Sequence, residues 1–163
     1  VAYFTTRVGS VTAFDFRAKD VSFLKAKIRI QTQLFGWGVI SSPPRLPGLV
    51  WSRRLREQIV AEMATANGQL YLATVTGKLR SLDMKTGQEL WKVAGLARLY
   101  SAPIVSGDTV IQTASDGTVY GFDAATGKEK WRTSVQESVV ASAILAGDTL
   151  YVPTAAGNLY AIR

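Results

Sequence analysis

The side chains that could do chemistry are unevenly supplied. The 163 residues include no histidine and no cysteine. That removes the commonest general base, the commonest transition-metal ligand and all thiolate or disulfide chemistry. A serine nucleophile here has no imidazole to take its proton. The remaining candidates are twelve carboxylates. General acid–base catalysis or a calcium site needs them in pairs or clusters. Asp83, Asp108, Asp116, Asp123 and Asp148 instead fall beside glycine turns, where a carboxylate accepts backbone N–H bonds. Asp20, Glu62 and Glu137 are scattered, and both asparagines, Asn67 and Asn158, adjoin a turn glycine. The TGK at residues 126–128 lacks the spacing of a phosphate-binding loop. No catalytic residue, metal ligand or cofactor is expected.

The basic residues are more suggestive. Residues 1–60 carry ten Lys/Arg against three Asp/Glu, so the whole net charge of +7 lies there. Lys25, Lys27 and Arg29 alternate with Ala26, Ile28 and Ile30, which reads as three cations on one face of a strand. Arg53, Arg54 and Arg56 follow Trp51. Together these six form a candidate basic interaction face. An acidic protein suits it, and an anionic membrane surface is a weaker candidate. No nucleic-acid motif surrounds it, so nucleic acid is not an expected partner. No apolar run is long enough to span a bilayer.

The chain repeats itself. DMKTGQELW, from Asp83 to Trp91, returns as DAATGKEKW, from Asp123 to Trp131. Gly77, Gly117 and Gly157 keep the same 40-residue interval. A period near 40 with short β-rich segments predicts four-stranded propeller blades. One unit reads as strands in SAPIVSG, TVIQTA, TVYGFD and EKWRT, with a primed hairpin turn at Asp116-Gly117. Asp83 and Asp123 then cap a turn, Thr86 and Thr126 support it, and Gly87 and Gly127 give it a left-handed residue. Trp91 and Trp131 are expected to pack, and Glu89 and Glu129 to be at least half exposed. Pro153 replaces the threonine of the repeat and predicts a bulge or an unpaired N–H position.

The expected architecture is all-β, a partial propeller of about three to four blades. Residues 60–163 hold the regular repeats and residues 1–59 an irregular copy with a Pro-rich loop at Pro43-Pro44 and Pro47-Gly48. Two readings of residues 21–50 are open. One is a single blade with a 28-residue insertion. The other, which is favoured, is two blades, the second shortened between Pro43 and Leu49, with Ile28 at a tryptophan position. The favoured reading explains ISSPP as the counterpart of YSAPI.

The two nine-residue motifs, with their glycine-flanked strands, closely resemble the tryptophan-docking repeat of the pyrroloquinoline-quinone (PQQ)-type β-propellers. The resemblance is specific over residues 60–163 and looser before them. One branch of that family contains quinoprotein alcohol dehydrogenases. Another contains cofactor-free propellers such as the outer-membrane assembly lipoprotein BamB. The resemblance implies that Trp91 and Trp131 tie blades together and that Asp83 and Asp123 hold the turns. It implies a calcium or lanthanide ion, an aspartate base and a vicinal disulfide for the dehydrogenases, and this cysteine-free chain departs from that pattern. The cofactor-free branch implies an interaction scaffold in the periplasm or at the cell surface. The alternative is a piece of a quinoprotein dehydrogenase whose site lies elsewhere. In either case the chain is expected to be part of a longer propeller, or an array that needs another protein, further blades or a second copy.

Overall fold

The computed structural model describes residues 1–17, 24–39 and 47–163. Four small antiparallel sheets follow one another along the chain. The first holds β1 (Ala2–Thr5), β2 (Ser10–Phe14) and β3 (Leu49–Arg54), in that order. The second runs β4 (Ala64–Ala66), β5 (Gln69–Thr74), β6 (Lys78–Asp83) and β7 (Glu89–Val93). The third repeats this plan with β8 (Ile104–Ser106), β9 (Thr109–Thr113), β10 (Thr118–Asp123) and β11 (Glu129–Ser134). The last has β12 (Ile144–Ala146), β13 (Thr149–Pro153) and β14 (Leu159–Ile162).

The core is three layers between sheets. Val11, Ile59, Leu70, Leu72 and Leu82 fill the first. Tyr71, Leu79, Leu99, Val110 and Phe122 are among the residues of the second, and Val119, Val135, Val139 and Val152 among those of the third. The middle strands therefore bury both faces, which is why QLYLAT and TVYGFD show no in–out alternation. In β14, covered on one side only, the alternation returns.

The turns follow local chemistry. Asn67 and Gly68, at φ +51° and +75°, form the primed two-residue turn between β4 and β5. The turn at Asp116-Gly117 differs from the expected one. Only Gly117 has positive φ there, and Gly117 N–H donates to the Ala114 carbonyl. This is the longer hairpin loop closed by a left-handed glycine. No register shift occurs at Pro153, which ends β13 beyond the reach of β12.

The structure corrects the reading of the basic segment. The β-propeller architecture stands, but Leu24–Gly36 is a helix, α1, so Lys25, Lys27 and Arg29 are not on a strand. Six alternating residues fit either period. The longer run LKAKIRIQTQLF has no internal glycine or proline and is rich in helix formers, which decides the matter. Gly38, at φ +71°, stops the helix; its N–H donates to the Phe35 carbonyl and that of Val39 to the Leu34 carbonyl. The shortened-blade reading also falls. β2 pairs directly with β3, Ala13 opposite Trp51, so the fourth-strand tryptophan of the first blade is Trp51 and not Ile28. The segment between them, which includes α1, is an insertion at one end of the β2–β3 pair. Pro43 and Pro44 lie outside the described residues.

The core and α1 should respond differently to truncation. Leu72→Ala, at a fully buried site, is expected to cost about 2–5 kcal/mol in urea unfolding. Ile30→Ala on α1, where Ile30 is exposed, should stay within about 0.5 kcal/mol.

Candidate functional site

The repeated motif builds one joint per pair of blades. Asp123 Oδ1 accepts from the Thr126 hydroxyl at 2.7 Å and the Thr126 N–H at 2.9 Å. Asp83 does the same for Thr86, at 2.8 and 2.7 Å, and also takes the Lys85 N–H. These bonds to the threonine, hydroxyl first, hold both carboxyls below the usual aspartate range. The turn so fixed ends in a left-handed glycine, Gly87 at φ +71° and Gly127 at +73°.

That glycine is where the preceding blade's tryptophan sits. A Cβ on Gly87 would lie 2.5 Å from the Trp51 ring, and one on Gly127 2.6 Å from that of Trp91. Each indole N–H donates at 2.9 Å to a carbonyl in the same turn, Trp51 to Met84 and Trp91 to Ala124. A tyrosine shares each acceptor, Tyr3 with Trp51 and Tyr71 with Trp91. Under each indole, on the neighbouring strand, lies a small residue: Ala13, Ser81 or Gly121. A Cβ on Gly121 would collide with Trp131. Neither the tyrosines nor the small residues were singled out from sequence, although a 40-residue alignment of the units would have shown them.

Trp131 is placed differently. It is 39% exposed, against 9% for Trp91, and borders an open cavity of about 480 Å³ with Ile111, Leu145, Leu150 and Ile162. Ile111 stands where the other two joints have tyrosine.

Carboxylates also clamp blades together. Glu57 accepts from Lys78 at 2.7 Å and Arg80 at 2.6 Å in the next blade. Burial alone would raise its pKa, but the two cations outweigh this and lower it. Glu137, 80 residues on, accepts from Thr154, Asn158 and Tyr160, which likewise lower its pKa. Glu89, expected to be half exposed, is drawn against Arg80. Its side chain is only 24% exposed.

The candidate basic residues are divided between α1, β3 and the segment after β3. Lys27 and Arg29 lie on α1, inserted at the Phe14/Leu49 end of the β2–β3 pair. The Lys25 side chain is outside the described residues. Arg53 Nη1 donates to the Gly87 carbonyl at 3.2 Å and so serves the first joint. Arg54 and Arg56 lie at the opposite end of β3, in an open cleft of about 600 Å³ that also takes Arg7, Val8, Glu57 and Gln58. Arg7 had no signal in sequence, because only the β1–β2 hairpin brings it there.

The quinone–metal site of the dehydrogenase branch does not fit these residues. Asp83, Asp123, Glu57, Glu89 and Glu137 are held by turns, cations or hydroxyls, and Asp108 by Lys130. Among the described residues no three acidic side chains converge as a metal cluster.

The family model described as outer membrane protein assembly factor BamB matches residues 46–163. The chain belongs to this family. Its propeller also aligns with BamB from Moraxella catarrhalis, at 20% identity and a TM-score of 0.70. That alignment covers 98% of this chain and 41% of that one, so the chain spans about two fifths of that BamB's length. The computationally designed Ika4 protein aligns at 15% identity and a TM-score of 0.71, over 98% of this chain and 82% of that one. The quinohemoprotein alcohol dehydrogenase ADHIIG from Pseudomonas putida HK5 aligns at 18% identity and a TM-score of 0.66, over 93% and 26% respectively. At these identities the likeness is one of fold. A search of curated proteins finds no match. The same fold thus occurs in a BamB and in a quinohemoprotein alcohol dehydrogenase.

Two outcomes test the joints. Trp91→Ala is expected to cost about 3–5 kcal/mol and Trp131→Ala no more than about 2 kcal/mol, by denaturant unfolding. The turn aspartates bind fewer protons folded than unfolded just below the ordinary aspartate pKa, about 3.9. Their stabilisation is therefore full above that value and lost as pH falls through the lowered folded values. Acid unfolding of the Asp83→Asn/Asp123→Asn variant should show a shallower dependence on pH than that of the native chain.

Proposed function

We propose that this chain is a non-catalytic, BamB-like propeller segment that works as a protein-interaction scaffold in the cell envelope, in the periplasm or at the cell surface. The observation that carries this reading is the commitment of six acidic side chains, Glu57, Asp83, Glu89, Asp108, Asp123 and Glu137. Carboxylates, the residue type a quinone enzyme needs for its metal and its base, here stabilise turns and clamp blades. Residues 60–163 act as the regular repeat unit and residues 1–59 as its irregular lead-in. Ile144, Tyr151 and Leu159 remain exposed on the outer side of the last sheet, a face suited to further blades, a second copy or another protein.

The second reading, a segment of a quinoprotein dehydrogenase whose site lies outside these residues, is supported by the shared fold. Thermal unfolding separates a site in this chain from none, because a ligand that binds the folded state raises Tm. Calcium with PQQ is expected to leave Tm unchanged. A rise of several degrees would overturn the non-catalytic reading.

A further inference from the structure

The segment that departs furthest from the repeat is α1. It interrupts the first sheet between β2 and β3, and it lies outside the residues matched by the family model. Among the described residues, no side chain of α1 belongs to the three core layers. The described core therefore does not explain its composition.

That composition is selective. LKAKIRIQTQLFG holds three cations and no acid in 13 residues. Arg29, Thr32 and Gln33 fall on one side of the helix, Ile30 and Leu34 on the other. The turn that ends α1 adds two more apolar residues. Trp37 is 73% exposed, and Ile30, Phe35 and Val39 are also exposed. A tryptophan so exposed, at the end of a helix that carries lysine and arginine, has the chemistry of a bilayer interface, where a ring sits at headgroup depth and cations meet phosphates. Lys27, on the same side as Leu34, can bury its stem and still reach a headgroup. A 13-residue helix is about 20 Å long, too short to cross the roughly 30 Å hydrocarbon layer. It can lie on that layer.

We propose that α1 and the turn through Val39 form a membrane-surface contact that takes an anionic lipid bilayer. The occupant is a lipid surface rather than a groove in an acidic protein, because two aromatic rings cluster at the helix C-terminal end beyond the cations. The proposal adds to the scaffold reading and does not depend on it. A failed vesicle experiment leaves that reading in place.

The test is flotation of the full chain with vesicles rich in phosphatidylglycerol, at low salt, against vesicles of phosphatidylcholine alone. The chain should float with the anionic vesicles and be released by salt. Lys27→Gln/Arg29→Gln should weaken binding roughly thirtyfold, since each cation near an anionic surface is worth about 1 kcal/mol. Its Tm should be unchanged, because Lys27 and Arg29 are exposed and take part in none of the described core layers. Trp37→Phe keeps an apolar ring and should still float, but it should abolish the blue shift of tryptophan emission on vesicle addition. Absence of flotation by the native chain overturns the proposal, and this is the result an acidic protein groove as the true occupant would give. Equal flotation of the Gln variant, or a blue shift that survives Trp37→Phe, overturns it as well.

Discussion

An indole seated on a glycine of the next sheet is the contact on which the rest of this structure depends. Each sheet is too small to bury its own faces. It becomes stable only as a layer between neighbours, and the indole sets the distance and tilt of that layer. The glycine is required twice over, once for the left-handed backbone and once because a Cβ would occupy the space of the ring. The turn aspartate, the threonine, the shared carbonyl and the small residue beneath the indole all follow from holding that contact in place.

The joints are not identical, and the differences are compensated. The first has Trp51, Tyr3 and the Glu57 clamp. The second has alanine at position 97, where the others have glutamate, and relies on Trp91, Tyr71 and the largest apolar layer. The third has the Glu137 clamp but an indole left half open. Glu57, Glu137 and the turn aspartates thus serve as mechanical parts of the joints. Surfaces available for partners arise where the repeat is broken: the arginine cleft at Arg7, Arg54 and Arg56, the exposed last sheet, and α1.

Much of the fold was legible because repetition reports it. Forty-residue spacing of Asp, Gly and Trp can arise only if the same turn and the same packing recur, so blade order, strand sites and the role of the TG turn could be read from residues 60–163. The irregular first blade could not. Residues 25–30 alternate over too short a run to separate a strand from a helix, and the match between ISSPP and YSAPI compared composition without pairing. The register of Ala13 opposite Trp51 is a long-range fact, invisible to any local window.

The sequence by itself determined the local conformations: the capped turns, the left-handed glycines, the strand segments, and the absence of imidazole and thiol chemistry. These depend on neighbours within a few residues, or on composition alone. Only the tertiary structure decided which tryptophan meets which glycine, that Arg53 is spent on a joint while Arg54 and Arg56 are open, and that the basic residues at 27 and 29 leave the propeller on a helix. Those outcomes depend on which sheet faces lie together, and burial is a property of the assembled layers rather than of the residues within any one of them.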